Sequence, residues 1–414
     1  MSLIQPLLKG LTQPLLIPTT GLPADYWDAV AALGEKWGLN GSLLGSNGTP
    51  VTFTRASQKI YQDSQGKWRS YAVDTPAYGV GLSLEGSITN KCTNFNFAPD
   101  AGLTSVSDNA NCTTARVLID DVPEPYQSQI RAAFPDTNIA PWNGYVFCSA
   151  GAASGTATAT ISGATGNTNT HVGSVFAVRA GGDNSALLRV TAQASENVEI
   201  MDDSSFQRWV LPAFTPSDGA RTIQVRVPNN GAVYWFGNQL EESQIETSPI
   251  ATTGGSATRA LDDAQVSTAG MPVQDCAYYI ELPRGVRDNG LDRYIFESRV
   301  DADNTFRLFY QSSNARFRAW KENAAVTVIA NADYVADGSP VAILIKNSSV
   351  DGFSIELSNG EQDSKTNTDD IVLNSIVQFG ADDSGSMLNP LFAEEANFKY
   401  FNTSDITLEA AALV

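Results

Sequence analysis

Short runs of β-branched and aromatic residues recur along most of this chain, and Gly, Asn, Asp or Pro separates them at nearly regular spacing. Residues 145–148, 174–179, 222–227, 232–236 and 352–357 are examples. Each run is too short for a helix, and many alternate between apolar and polar side chains. Alternation with period two places one face in a core and the other toward water. A chain built this way folds as stacked antiparallel sheets. Only 17% of the residues are charged, and no long Glu/Lys-rich helical run is present. The expected fold is therefore mostly β: an extended N-terminal arm with a short helix, then two antiparallel β-sandwich (jelly-roll) domains.

The length of 414 residues accommodates two or three domains of roughly 150 residues each. The reading divides the chain into an arm at 1–44, a hairpin neck at 45–91, a first sandwich at 92–262 and a second at 263–414. In the neck, a Ser64-Gln65-Gly66 turn lies between 59–61 and Trp68. In the second sandwich, 294–300 and 305–311 form a hairpin over Asp301-Ala302-Asp303-Asn304, and 371–379 is a further strand.

The arm differs from the rest. Gln5-Pro6-Leu7-Leu8 recurs as Gln13-Pro14-Leu15-Leu16, and Pro18 and Pro23 follow. Prolines at these intervals forbid a continuous helix and favour extended backbone. Leu3, Ile4, Leu7, Leu8 and Leu11, then Leu15, Leu16 and Ile17, need cover from water, with Pro6 and Pro14 setting the backbone. An extended apolar segment cannot bury itself, so these residues are expected to dock on another protein. Residues 23–33 read as a short helix, with Pro23 in its first turn and Gly34 at its end.

Net charge is −19, which repels nucleic acid. No run approaches the ~18 apolar residues of a membrane span, so membrane insertion is not expected. The start is apolar but lacks a basic segment, so no secretory signal is read there. Cys92, Cys112, Cys148 and Cys276 form no CxxC pair, which argues against zinc. No cofactor is expected. The single histidine, His171, lies in a Gly-Asn-Thr-Asn-Thr-His-Val-Gly stretch and is expected to be exposed.

Two segments carry a resemblance. Residues 235–260 contain Gln239-Leu240-Glu241-Glu242, then Thr247-Ser248-Pro249-Ile250, a small-residue turn, and Thr258-Arg259-Ala260. Upstream stand Phe53-Thr54-Arg55-Ala56-Ser57, Tyr61, Gly66 and Tyr78. Both resemble tail and head fibre proteins of tailed bacteriophages that carry a carbohydrate-binding-module-like sandwich. The ending, Phe398-Lys399-Tyr400-Phe401-Asn402 to Thr407-Leu408-Glu409, is similar to the closing strand of a concanavalin/laminin-G-like jelly roll. The resemblance implies a virion structural protein, either a head fibre or decoration protein or a short tail-attached fibre. Such a protein assembles in the host cytoplasm, where thiols stay reduced. The implied partners are capsid or tail proteins through the arm, trimer mates, and host-surface glycan.

Sugar sites stack aromatic faces on pyranose rings while amides reach the hydroxyls. Among Trp142, Trp209, Trp235 and Trp320, the loop-like Trp142 with Asn143 is the preferred glycan platform, and the others read as packing residues. Asp301-x-Asp303-Asn304 and Asp382-Asp383 carry calcium-type oxygen ligands but also make good turns, and turns are the reading adopted. No strand shows the alternating carboxylates of a concanavalin-like glycoside hydrolase, so no catalytic residue is assigned. A polysaccharide-active enzyme and a bacterial extracellular adhesin are the competing readings.

Overall fold

The computed structural model describes most of residues 51–408; residues 1–50, 94–105, 136–144, 160–168, 216–222, 287–291, 380–396 and 409–414, with several shorter stretches, are outside the described residues. The arm, its helix, Trp142, Asn143 and Asp382-Asp383 therefore lie outside them.

The chain is mostly β, and its sheets are antiparallel, as the spacing of its short runs predicts. In the first sandwich one five-stranded sheet orders Gln193–Ile200, Ala186–Val190, Ile223–Val227, Gly155–Ala159 and Val106–Asp108. The other orders Gln207–Val210, Val172–Ala180, Ala232–Glu241, Tyr145–Ala150 and Cys112–Val117. Leu188, Val225, Val233 and Trp235 belong to its buried core.

Ala232–Glu241 is buried along its whole length, so its sheet has no water-facing side at this strand. The helix Tyr126–Ala133 contributes Ile130 to the core, Phe134 follows it, and the neck hairpin supplies Ile60 and Trp68. Trp68, Phe134 and Phe176 meet at ring distances of 5.0–6.3 Å. Sequence reading does not anticipate this helix, because Ile130 is its only fully buried residue and most of its other side chains are polar.

The second sandwich pairs a seven-stranded sheet with a five-stranded one. The larger orders Val51–Thr54, Asp263–Ser267, Ile376–Phe379, Arg293–Asp301, Asn304–Gln311, Arg316–Asn323 and Val326–Asp333. The smaller orders Gln362–Lys365, Gly352–Leu357, Val341–Ser348, Cys276–Leu282 and Asn397–Phe401. Phe296, Phe306 and Phe317 from the first sheet share a core with Tyr278, Ile345 and Phe353 from the second.

The Asp301 hairpin forms as read. Asp301 Oδ1 accepts from Asp303 N at 2.9 Å and from Asn304 Nδ2 at 2.8 Å, so this acidic cluster closes a turn. Two other expectations change. Val51–Thr54, read with the neck, is the edge strand of the second sandwich and pairs with Asp263–Ser267. The strand expected at 371–379 is confined to Ile376–Phe379, because Ile371 N bonds Val273 O and Asn374 is held by Ser298 and Arg299.

Candidate functional site

The two resemblance-bearing segments meet in space. Their meeting point is a buried polar network where the neck, the last strand of the first sandwich and the first strands of the second converge.

The network starts from an irregular strand. Register shifts between Ser174 and Phe176 where Ala232–Glu241 pairs with Val172–Ala180. Gly237 there has φ of +73°, a conformation that a side chain disfavours. The interruption leaves backbone groups that Asn90 satisfies. Asn90 Nδ2 donates to Asn238 O at 2.9 Å and Ile250 O at 3.0 Å, and Asn90 Oδ1 accepts from Cys92 N and Leu240 N. Beyond the bulge, Gln239 Oε1 accepts from Ile250 N at 2.8 Å. Glu241 takes Thr247 N and Thr247 Oγ1, each at 2.7 Å. Gln239 and Glu241 thus fold the Thr247–Ile250 loop back along its own strand.

That loop presents Ser248 to the charged centre. Glu85 Oε1 accepts from Ser248 N at 2.7 Å. Arg259 donates to Ser248 Oγ at 2.6 Å and Gly86 O at 2.9 Å, and lies 3.2 Å from Glu85 Oε2. Lys59 Nζ stands 2.9 Å from Glu85 Oε2 and 2.6 Å from Asp262 Oδ2. Arg55 Nη1 meets Asp262 Oδ1 at 3.0 Å, and its Nη2 donates to Ala72 O and Thr75 O, both at 2.8 Å. Asp262 Oδ2 also accepts from Glu85 N at 2.8 Å. All five charged residues are at most 4% exposed. A buried charge is tolerated only when paired and hydrogen-bonded, and these charges have both kinds of partner.

Two neighbouring carboxylates respond to this environment in opposite ways. Burial alone would raise the Glu85 value, but Arg259 and Lys59 outweigh it and hold it well below the ordinary 4.5. Burial raises Glu241 above 4.5, and Thr247, Arg208 and Arg259 offset this only in part. Glu85 therefore contributes stability above pH 4.5 that fades as pH falls below it. Glu241 costs stability at neutral pH, and the cost is relieved as pH falls toward 4.5. Chemical denaturation across pH 3–7 should show the acid-side loss reduced in Glu85→Gln. Glu241→Gln should show a gain confined to the neutral side. Parallel pH profiles for the two variants would contradict the assignment.

An open depression of about 490 Å³ adjoins the network, with Thr54, Ala56, Val73, Asp74 and Asp263 among its lining. Its carboxylates are engaged: Asp74 Oδ1 accepts from Arg55 N at 2.8 Å, and Gln265 and Gln378 donate to Asp263.

His171 is not exposed, contrary to the expectation from its polar flanks; it is 0% exposed. Its ring stacks on Phe214, Nδ1 lies 2.7 Å from Asn169 O, and Nε2 lies 3.2 Å from Lys91 Nζ. An ammonium only donates, so Nε2 accepts and the ring proton sits on Nδ1. Lys91 also pairs with Glu242 at 3.2 Å. The histidine has a structural part in the end of the first sandwich.

Trp235 is fully buried in the core, and Trp209 donates Nε1 to Ala177 O at 3.1 Å. Trp320 is half-buried beside Arg307, whose guanidinium is 4.2 Å from its ring centre. Among the described residues no cluster of three or more His, Cys, Asp or Glu is placed to hold a metal ion. No helix among them is long and apolar enough to cross a membrane. Cys92 and Cys276 are free thiols.

Arg55, Glu241 and Arg259 stand in the segments that drew notice in the sequence, but Lys59, Glu85 and Asp262 did not. Nothing local marks residues that find their partners some 200 positions away.

No protein-family model matches the sequence, and no curated protein matches it. Among solved structures, domains LG4-5 of the mouse laminin alpha1 chain align at 10% identity over 57% of this chain and 81% of that chain, with a TM-score of 0.25. That likeness is too slight to carry an argument about architecture, ligand or activity.

Proposed function

We propose that this chain is a structural protein of a bacteriophage particle, a head fibre or decoration protein or a short tail-attached fibre. Its arm docks on capsid or tail subunits through Leu3–Ile17, and its two sandwiches project from the surface as a homotrimer. Host glycan, engaged at Trp142 and Asn143, is held through many weak contacts on one particle. The protein performs no catalysis in this reading.

The observation supporting this reading is the closed network at the junction. Arg55, Glu241 and Arg259, which stand in the segments that resemble fibre proteins, help to fasten the neck and both sandwiches together. The charges at the network's centre are paired with one another rather than offered to a substrate, as suits a part that must keep its shape.

Removing residues 1–22 tests the proposal. The truncated chain should remain folded, with an unchanged far-ultraviolet dichroism spectrum, and should be absent from purified particles. Incorporation at the level of the full chain would refute docking through the arm.

A further inference from the structure

The buried network brings an amine, a carboxyl group and a second carboxylate into contact. Lys59 Nζ is 2.6 Å from Asp262 Oδ2, and both side chains are 0% exposed. Glu85 Oε2 is 2.9 Å from the same Nζ. Arg55 Nη1 holds Asp262 Oδ1 at 3.0 Å, on the carboxylate oxygen not engaged by the amine. We propose that Lys59 and Asp262 condense to an intramolecular isopeptide bond, with Glu85 as the proton shuttle.

The step balances without a cofactor. Lys59 Nζ passes one proton directly to Asp262 Oδ2, 2.6 Å away, which leaves a neutral amine facing a neutral carboxyl group. The freed amine attacks Cγ of Asp262, and negative charge collects on Oδ1, where Arg55 stabilises it. Nζ gives up a second proton through Glu85. Both protons leave on Oδ2 as water, and the C–Oδ2 bond breaks as the C–Nζ bond is completed. Ammonium plus carboxylate becomes amide plus water, with nothing oxidised or reduced.

Three physical terms favour the reaction. Holding the two groups in contact replaces a bimolecular encounter with an intramolecular one, worth an effective concentration of about 10⁵–10⁸ M in well-oriented cases. A dry site suppresses the reverse hydrolysis. Condensation also removes two buried charges, and with them the desolvation penalty that an ion pair retains. Glu85 and Asp262 keep further anchors throughout, since Glu85 Oε1 is fixed by Ser248 N and the Asp262 backbone N–H bonds Glu85 O.

The bond would close a covalent loop between residues 203 positions apart, from the neck to the entry of the second sandwich. It would serve a surface protein that assembles where disulfides do not form. The proposal does not depend on the virion reading, since it concerns only chemistry inside one chain.

Intact mass spectrometry of the denatured full-length chain tests it directly. The expected mass is lower than the sequence mass by one water molecule, and digestion should release a branched peptide joining the Lys59 and Asp262 segments. A wild-type mass equal to the sequence mass overturns the proposal. Lys59→Arg keeps the charge but cannot form this amide, so it should return to its own sequence mass. A water deficit persisting in Lys59→Arg would place the loss elsewhere and equally overturn it. Glu85→Gln, with folding checked by circular dichroism, should slow or abolish the mass loss; full conversion at the wild-type rate would remove Glu85 from the mechanism.

Discussion

Asp262→Ala should destabilise the protein by about 3–5 kcal/mol, the range seen when one partner of a buried ion pair is removed. The expectation rests on what is left behind. Arg55 and Lys59 both face Asp262 and are 1% and 0% exposed, so the variant leaves Arg55 with no carboxylate partner and Lys59 with Glu85 alone. Glu85 N also loses its acceptor. Loss of the proposed amide acts in the same direction. Replacing Lys59 and Asp262 together by Met and Leu should recover part of the deficit, because an apolar pair carries no desolvation penalty. Denaturant titration of each variant and of the pair gives the coupling. A loss below about 1 kcal/mol for Asp262→Ala would mean that the network behaves like a surface ion pair.

Trp235→Ala should cost about 3–5 kcal/mol, as expected when a large aromatic side chain is cut from a packed core. Trp235 is 0% exposed and lies in a central strand flanked on both sides, paired with Ala177 and Val146. Trp320→Ala should cost only about 1 kcal/mol, since it gives up a half-buried contact with Arg307. Equilibrium unfolding monitored by circular dichroism separates the two. Equal losses would show that the outer face of the seven-stranded sheet is more deeply packed than its exposure indicates.

The legible parts of this fold share a physical basis. The Arg293–Asp301/Asn304–Gln311 hairpin is readable because its turn residues and alternating side chains are local. The Lys59–Gln62/Trp68–Tyr71 hairpin is readable for the same reason, with Gly66 at φ +79° in its turn. The helix Tyr126–Ala133 carries too little apolar periodicity to declare itself; its position against Tyr234, 5.5 Å from Tyr126, is a tertiary outcome. The preferred glycan platform at Trp142 and Asn143 lies outside the described residues, so its geometry has no counterpart in the fold as described.

Sequence alone determined the class of this protein: short alternating runs and frequent turn residues admit only layered antiparallel sheets. Tertiary structure alone decided that Val51–Thr54 joins the second sandwich, that His171 is buried against Lys91 and Phe214, and that Lys59, Glu85 and Asp262 share one dry site. The reason is distance along the chain. Alternation and turns act over a few residues and leave a local pattern, whereas a buried charge is matched by whichever partner the completed fold brings beside it.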